Sequence, residues 1–212
     1  MFAVWDNPTM TESIRESKRP LGLAVFFIIA GVIGWFASFD LLIEKIETLV
    51  NPYYVPSCNI SPLVSCGPNM ASAQGSVFGF PNPIIGVATF VAPIIVGFAI
   101  LAGARFAKWF WVLFNLGIAL ALAFVIWLIS QSIFVLGTLC PYCMVVWVVV
   151  IALFWYVTVF NLKEQNLPAP GILQQLARVF YPWSWLLAVL CYVIIAVLAQ
   201  QRLDVVTSLL NS

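Results

Sequence analysis

The 212-residue sequence predicts an all-α integral membrane protein, and two observations carry that prediction. The first is composition: 63% of the residues are hydrophobic and only 8% are charged, where soluble domains average about 45–50% and about 25%. The second is patterning. The apolar residues fall into five runs, roughly 21–43, 83–102, 109–136, 142–160 and 182–200, each close to the ~20 residues a helix needs to cross a bilayer. None alternates as a barrel strand would, and a helix satisfies its own backbone in lipid.

Residues 1–20 are polar, and no small-residue cleavage signature follows the first run. That run therefore reads as an uncleaved anchor, since signal peptides have shorter apolar cores. Lys and Arg predict the orientation. Arg15, Lys18 and Arg19 lie in the tail, Arg105 and Lys108 in the second connection, and Lys163 and Arg178 in the fourth. Against these seven stand Lys45 in the first connection and Arg202 after the fifth run. The expected layout is a cytoplasmic tail (1–20) and a four-helix membrane domain (21–160) with an external cap loop (44–82). A cytoplasmic connection (161–181) then leads to a fifth span with a short external tail (182–212).

Nine basic against eight acidic residues give no footing for nucleic acid, and histidine is absent. That removes His-based acid–base catalysis, Ser–His triads and His-ligated metals, leaving cysteine, a cofactor or both. The cysteines are Cys58, Cys66, Cys140, Cys143 and Cys191. Cys191 falls inside the fifth run, where a lone cysteine is a small apolar filler. The other four share the predicted outer side, a compartment that favours disulfides.

The cap loop is too long to be a simple connection, and after Glu47 it carries no charge up to Asn82. Tyr53, Tyr54, Val55, Leu63, Val64, Met70, Val77, Phe78 and Phe80 make it a greasy cover for the outer end of the bundle, and Pro52, Pro56, Pro62 and Pro68 cut it into short pieces. Residues 69–75 fit one short helix. Seven residues separate Cys58 from Cys66, a spacing that closes into a disulfide and reopens by exchange.

The second pair, Cys140-Pro-Tyr-Cys143, opens the fourth run. Proline favours the first helical position, so Pro141 makes Cys140 the N-cap and Cys143 the third helical residue. Unpaired N–H groups and the positive end of the helix dipole then stabilise a thiolate at both sulfurs. Three arrangements suit these four thiols: a structural four-thiolate zinc site, two inert disulfides, or a relay passing electrons from one pair to the other. A zinc site suits an oxidising compartment poorly, and a C-x-x-C bridge constrains little. The relay needs one pair on a mobile segment and one on a rigid element, and the sequence supplies both.

With Ser72 and Val77-Phe-Gly-Phe-Pro-Asn82 following the first pair, the chain resembles the vitamin K epoxide reductase family over about residues 21–160, its bacterial branch above all. The resemblance implies a four-helix transmembrane bundle around a quinone, with a fifth, peripheral transmembrane helix. It implies that Cys143 stands beside the quinone (menaquinone or ubiquinone) and that Cys140 exchanges with Cys66. Cys58 resembles the loop cysteine that meets the substrate thiol. Ser72, Phe78, Asn82 and Trp147 are the implied quinone-site residues. Trp147 takes a place where vertebrate members have a tyrosine, so an indole replaces the phenol there. Ser130, Gln131 and Ser132 end the third run at the same depth, lining the pocket or bonding neighbouring helices. Many bacterial members carry a fused thioredoxin-like domain after the fifth span. This sequence ends soon after Gln200, which implies a separate DsbA-like thioredoxin-fold partner.

The expected function is a quinone-dependent thiol oxidase of the cytoplasmic membrane that regenerates that partner. The alternatives are a thiol-driven vitamin K epoxide or quinone reductase, and a non-enzymatic assembly or transport subunit braced by disulfides.

Overall fold

The computed structural model describes residues 20–206, which fold as helices with no strand among them. The predicted tail charges Arg15, Lys18 and Arg19, and everything from residue 207 onward, lie outside the described residues.

The first span, α1 (Leu21–Val50), continues past the point where its hydropathy falls. Glu and Lys are good helix formers, so the helix outlasts its apolar run, and the cap gives two of these charges partners. Glu44 accepts from the N–H and the hydroxyl of Ser57, and Lys45 Nζ donates to the Met70 carbonyl at 2.8 Å. The connection counted from residue 44 is thus helical for its first turns.

Within the cap, α2 (Gly67–Ala71) stops at Ser72, and a single 3₁₀ turn over Ala73–Ser76 follows. The one helix expected over 69–75 is therefore two pieces. Ser72 is extended (ψ 157°), and its hydroxyl accepts from Gly75 N–H at 3.2 Å. A serine offering the backbone this alternative partner ends one helix and starts the next turn.

The second span is also two helices, α3 (Pro83–Thr89) and α4 (Val91–Leu101), with a break at Phe90. Pro93 has no N–H for the Thr89 carbonyl, which accounts for the break. Small residues bring α4 close against α1: a Cβ on Gly31 would meet Ile94 Cγ1 at 2.6 Å, and one on Gly97 would meet the Ala24 carbonyl oxygen at 2.7 Å. Without a hydrophobic drive between helices in lipid, such close backbone approach is what holds spans together.

The third span, α5 (Lys108–Gln131), widens into a π turn over Ser132–Leu136 and ends at Gly137, whose φ of +67° is left-handed. Glycine adopts that conformation without strain. The chain then enters α6 (Pro141–Lys163), which packs on both α1 and α5. At its far end Asn161, with no exposed surface, donates to Asn115 Oδ1 at 3.0 Å and to the Trp111 carbonyl at 3.2 Å. That pins α5 to α6.

The connection 161–181 contains an amphipathic helix, α7 (Gly171–Phe180), with Ile172, Leu173, Leu176, Val179 and Phe180 exposed. The fifth span, α8 (Ser184–Leu203), packs on α6 and the π turn, outside the four-span bundle. Cys191 in it receives the Trp155 indole N–H at 3.4 Å. All five spans are long and apolar enough to cross a membrane.

Candidate active site

The two cysteine pairs meet through a two-bond bridge that no sequence pattern announces. Leu139 N–H donates to the Leu63 carbonyl at 2.8 Å, and Ser65 N–H donates to the Leu139 carbonyl at 3.0 Å. This is a parallel pairing of Val64 with Leu139. Both chains leave it in the same direction, so Cys66 and Cys140 emerge side by side. Their Sγ atoms are 3.2 Å apart.

Cys66 is at the same time joined to Cys58 in a disulfide, while Cys140 and Cys143 are free thiols. Three sulfurs thus form a chain of one bond and one contact, and Cys143 follows one turn into α6. Since Cys58 and Cys66 consume each other, a four-thiolate zinc site does not fit this arrangement. Leu41 and Met70 pack around the three sulfurs. Cys66 and Cys140 have no exposed surface, and Cys58 retains 6%. Of these three sulfur-bearing residues, Cys58 alone keeps exposed surface.

Pro141 occupies the first turn of α6, and Cys140 precedes it in an extended conformation, as the sequence predicts. The Cys140 thiol is held below its ordinary value chiefly by its hydrogen bond with Cys143, helped by the Cys143 and Tyr142 backbone and opposed by burial. A lowered thiol is more nucleophilic at neutral pH because more of it is thiolate.

Cys143 borders a cavity of about 600 Å³. α4 packs on α1 and α5 on α6, and the cavity fills the space between them, roofed by the cap. Its walls are mostly apolar, as a quinone ring and its isoprenoid chain require. Gly117 on α5 lines it, and a Cβ built there would meet nothing within 4 Å, so the backbone borders open space. On this observation the residues present fit a quinone.

All four expected quinone-site residues line the cavity, but they are differently committed. Trp147 is 4% exposed, and its indole N–H has no hydrogen-bond partner among the described residues, so it is available to a ligand oxygen. Asn82 is engaged at both ends of its amide: Nδ2 donates to the Gln74 carbonyl at 2.7 Å, and Oδ1 accepts from Val77 N–H at 3.2 Å. It ties residues 74–82 into a closed loop. Ser72 likewise donates to the Asn69 carbonyl at 2.8 Å while capping the 3₁₀ turn. Phe78 lies against Phe124 of α5, ring centroids 5.8 Å apart.

Sequence reasoning missed Asn59, Asn69, Gln74 and Gly117. Gln74 and Gln131 face each other at 3.4 Å on the cavity wall, so Gln131 both lines the pocket and bonds the cap. Asn59, Asn69 and Gln74 are three among many polar residues of a cap uncharged after Glu47, and Gly117 is one glycine in an apolar span, so no spacing or pattern singles them out.

Five apolar spans with a thiol next to a disulfide, at the head of an apolar cavity, define a multi-pass membrane thiol oxidoreductase. The sequence model of the vitamin K epoxide reductase family matches residues 25–158, more than half of the chain, and the protein belongs to that family. Membership implies thiol-based quinone oxidoreductase activity. The match runs from the first turns of α1 almost to the end of α6 and leaves α7 and α8 outside it. No curated protein matches the chain.

Proposed function

We propose that the protein is a quinone-dependent thiol oxidase of the cytoplasmic membrane that regenerates a separate DsbA-like thioredoxin-fold partner. The single observation that carries this reading is the 3.2 Å contact between Cys140 and Cys66 while Cys66 is bonded to Cys58. One exchange across that contact connects the loop pair to the C-x-x-C pair.

The partner's thiolate attacks Cys58, a bond forms between them, and Cys66 leaves as thiolate. The partner's second thiolate then attacks its own sulfur in the mixed disulfide, so the partner departs oxidised and Cys58 is released reduced. Cys66 attacks Cys140 of an oxidised Cys140–Cys143 pair, the bond between those two breaks, and Cys143 leaves with the electron pair. Cys58 attacks Cys66, which restores the loop disulfide and returns Cys140 as a thiol. A bound menaquinone or ubiquinone supplies the two-electron, two-proton acceptor for the reduced C-x-x-C. Trp147 would donate its indole N–H to that ring, Cys143 would face it, and Phe78 and the cap would exclude water. Ser72 and Asn82 would support the site by fixing the cap.

Every exchange is reversible, and a two-electron gap of about 30 mV, worth roughly 1.4 kcal/mol, sets the direction. The excess of Lys and Arg in the tail and in the second and fourth connections supports an external face for the cysteines, where thiols are oxidised.

The test is quinone reduction driven by a reduced thioredoxin-fold protein in purified Cys143→Ala. Turnover falls to background, and retained turnover sinks the relay. Running the parent protein with a quinone epoxide and a thiol donor decides direction: epoxide reduction faster than partner oxidation favours the reductase instead.

A further inference from the structure

Asn59 follows Cys58 in sequence, yet its side chain serves the other cysteine of the loop. Its Oδ1 accepts from Ser65 Oγ at 2.7 Å, from Cys66 N–H at 3.0 Å and from Gly67 N–H at 3.0 Å. The last two are N–H groups at the start of α2, which leaves such donors without intrahelical partners. Ordinarily the side chain of the N-cap residue satisfies them, but Cys66 occupies that position and makes no capping bond. Asn59 does the capping from outside the helix. The Cys66 sulfur takes no part in the capping and lies between Cys58, to which it is bonded, and Cys140.

The rest of the ring is closed in the same way. Ile60 and Ser61 N–H groups both donate to the Val64 carbonyl, and Val64 N–H donates to Ser61 Oγ. None of these bonds uses a sulfur, so breaking the Cys58–Cys66 bond removes none of them. The Val64–Leu139 bridge then carries the ring's position across to Cys140.

We infer that Asn59 is a positioning residue that holds Cys66 against Cys140 whether or not Cys66 is bonded to Cys58. This rests on the proposed relay and assigns its internal exchange to a side chain that does not react. In that exchange the Cys66 thiolate bonds to Cys140, the Cys140–Cys143 bond breaks, and Cys143 takes the electron pair as a thiolate. A freely moving reduced loop would offer Cys66 at an effective concentration on the order of millimolar. A reactant held in contact reaches about 10⁵ M or more in favourable geometry. The hydrogen-bonded ring moves Cys66 toward the second case.

The experiment uses the full chain in detergent with Cys58→Ala and Cys143→Ala, leaving Cys66 and Cys140 as the only pair at the site. The fraction carrying a Cys66–Cys140 disulfide is measured at equilibrium against glutathione buffers. Adding Asn59→Leu lowers that equilibrium constant by about tenfold or more, whereas Asn59→Asp, which keeps an acceptor oxygen in place, stays within about threefold of the parent. In the otherwise unmodified chain, with dithiothreitol as donor and a short-chain ubiquinone as acceptor, Asn59→Leu lowers kcat and leaves KM for the thiol unchanged. An equilibrium constant equal to the parent's in Asn59→Leu overturns the inference. Should that variant show no thermal unfolding transition, Asn59→Ser replaces it, and equality there overturns the inference too. Failure of the Cys66–Cys140 disulfide to form even with Asn59 intact is a different result and overturns the relay itself.

Discussion

Asn69 joins the cap to the turn that precedes the C-x-x-C, its Nδ2 donating to Thr138 Oγ1 at 2.9 Å. Its Oδ1 accepts from Ser132 Oγ at 3.0 Å, so one buried amide ties α2, the π turn and the approach to α6 together. A buried donor or acceptor left without a partner costs about 1–3 kcal/mol. Asn69→Leu strands both hydroxyls at once and lowers the Tm of the detergent-solubilised protein clearly, with faster proteolysis of the cap. An unchanged Tm would mean that these bonds contribute nothing to holding the cap down.

Gly117 offers a way to fill the cavity without disturbing its walls. A Cβ there meets nothing within 4 Å, so Gly117→Ala is accommodated, and replacing a helix-interior glycine stabilises by about 0.5–1 kcal/mol. Gly117→Phe occupies space that a quinone ring or chain would use. Quinone affinity, followed by quenching of tryptophan fluorescence, drops about tenfold or more, a loss of about 1.4 kcal/mol. Formation of the Cys58–Cys66 disulfide is untouched. Unchanged affinity in Gly117→Phe would remove the quinone from this cavity.

The helices and the thiols were legible in the sequence for different reasons. Long apolar runs announce spans because the bilayer sets their length, and Pro141 announces the helix start because proline suits only the first turn. The end of α1 was not legible. Glu44, Lys45 and Glu47 read as a boundary of the apolar run, and only the fold supplies Ser57 and the Met70 carbonyl as partners for Glu44 and Lys45 on a helix that continues through them. Contact between Cys66 and Cys140 was implied by family resemblance alone. It depends on single pairings, Val64 with Leu139 and Asn59 with Cys66, that have no periodicity to detect. Asn82 and Ser72 show the limit of carrying roles over: both line the cavity, but their polar groups already serve the cap.

Trp147 separates from these two because its N–H has no partner among the described residues while its ring forms part of the cavity wall. Trp147→Phe keeps an aromatic surface and removes the donor. A net hydrogen bond is worth about 0.5–1.5 kcal/mol, so quinone binds roughly threefold to tenfold more weakly to the variant. Trp147→Tyr restores a donor and recovers part of that loss. Isothermal titration with a short-chain quinone checks both, and equal affinities for Trp147→Phe and the parent would leave the indole N–H without a role.

Cys140 provides a pH signature that reports on Cys143. The hydrogen bond with Cys143 is the largest influence holding the Cys140 thiol below its ordinary value, which for a free cysteine is about 8.5. A lowered pKa means that the thiolate persists to lower pH, so attack of Cys140 on the oxidised loop pair has a midpoint below that of a free thiol. Cys143→Ala deletes the partner, and burial, which opposes the shift, then acts against the backbone bonds alone. The midpoint for forming the Cys66–Cys140 disulfide moves up. Cys143→Ser keeps a hydroxyl donor beside Cys140 and holds the midpoint below that of Cys143→Ala. Stopped exchange reactions across pH 6–10, resolved by mass, give both curves. Coincident midpoints in the two variants would take Cys143 out of the account of Cys140 and leave the helix entrance itself as the source of its reactivity.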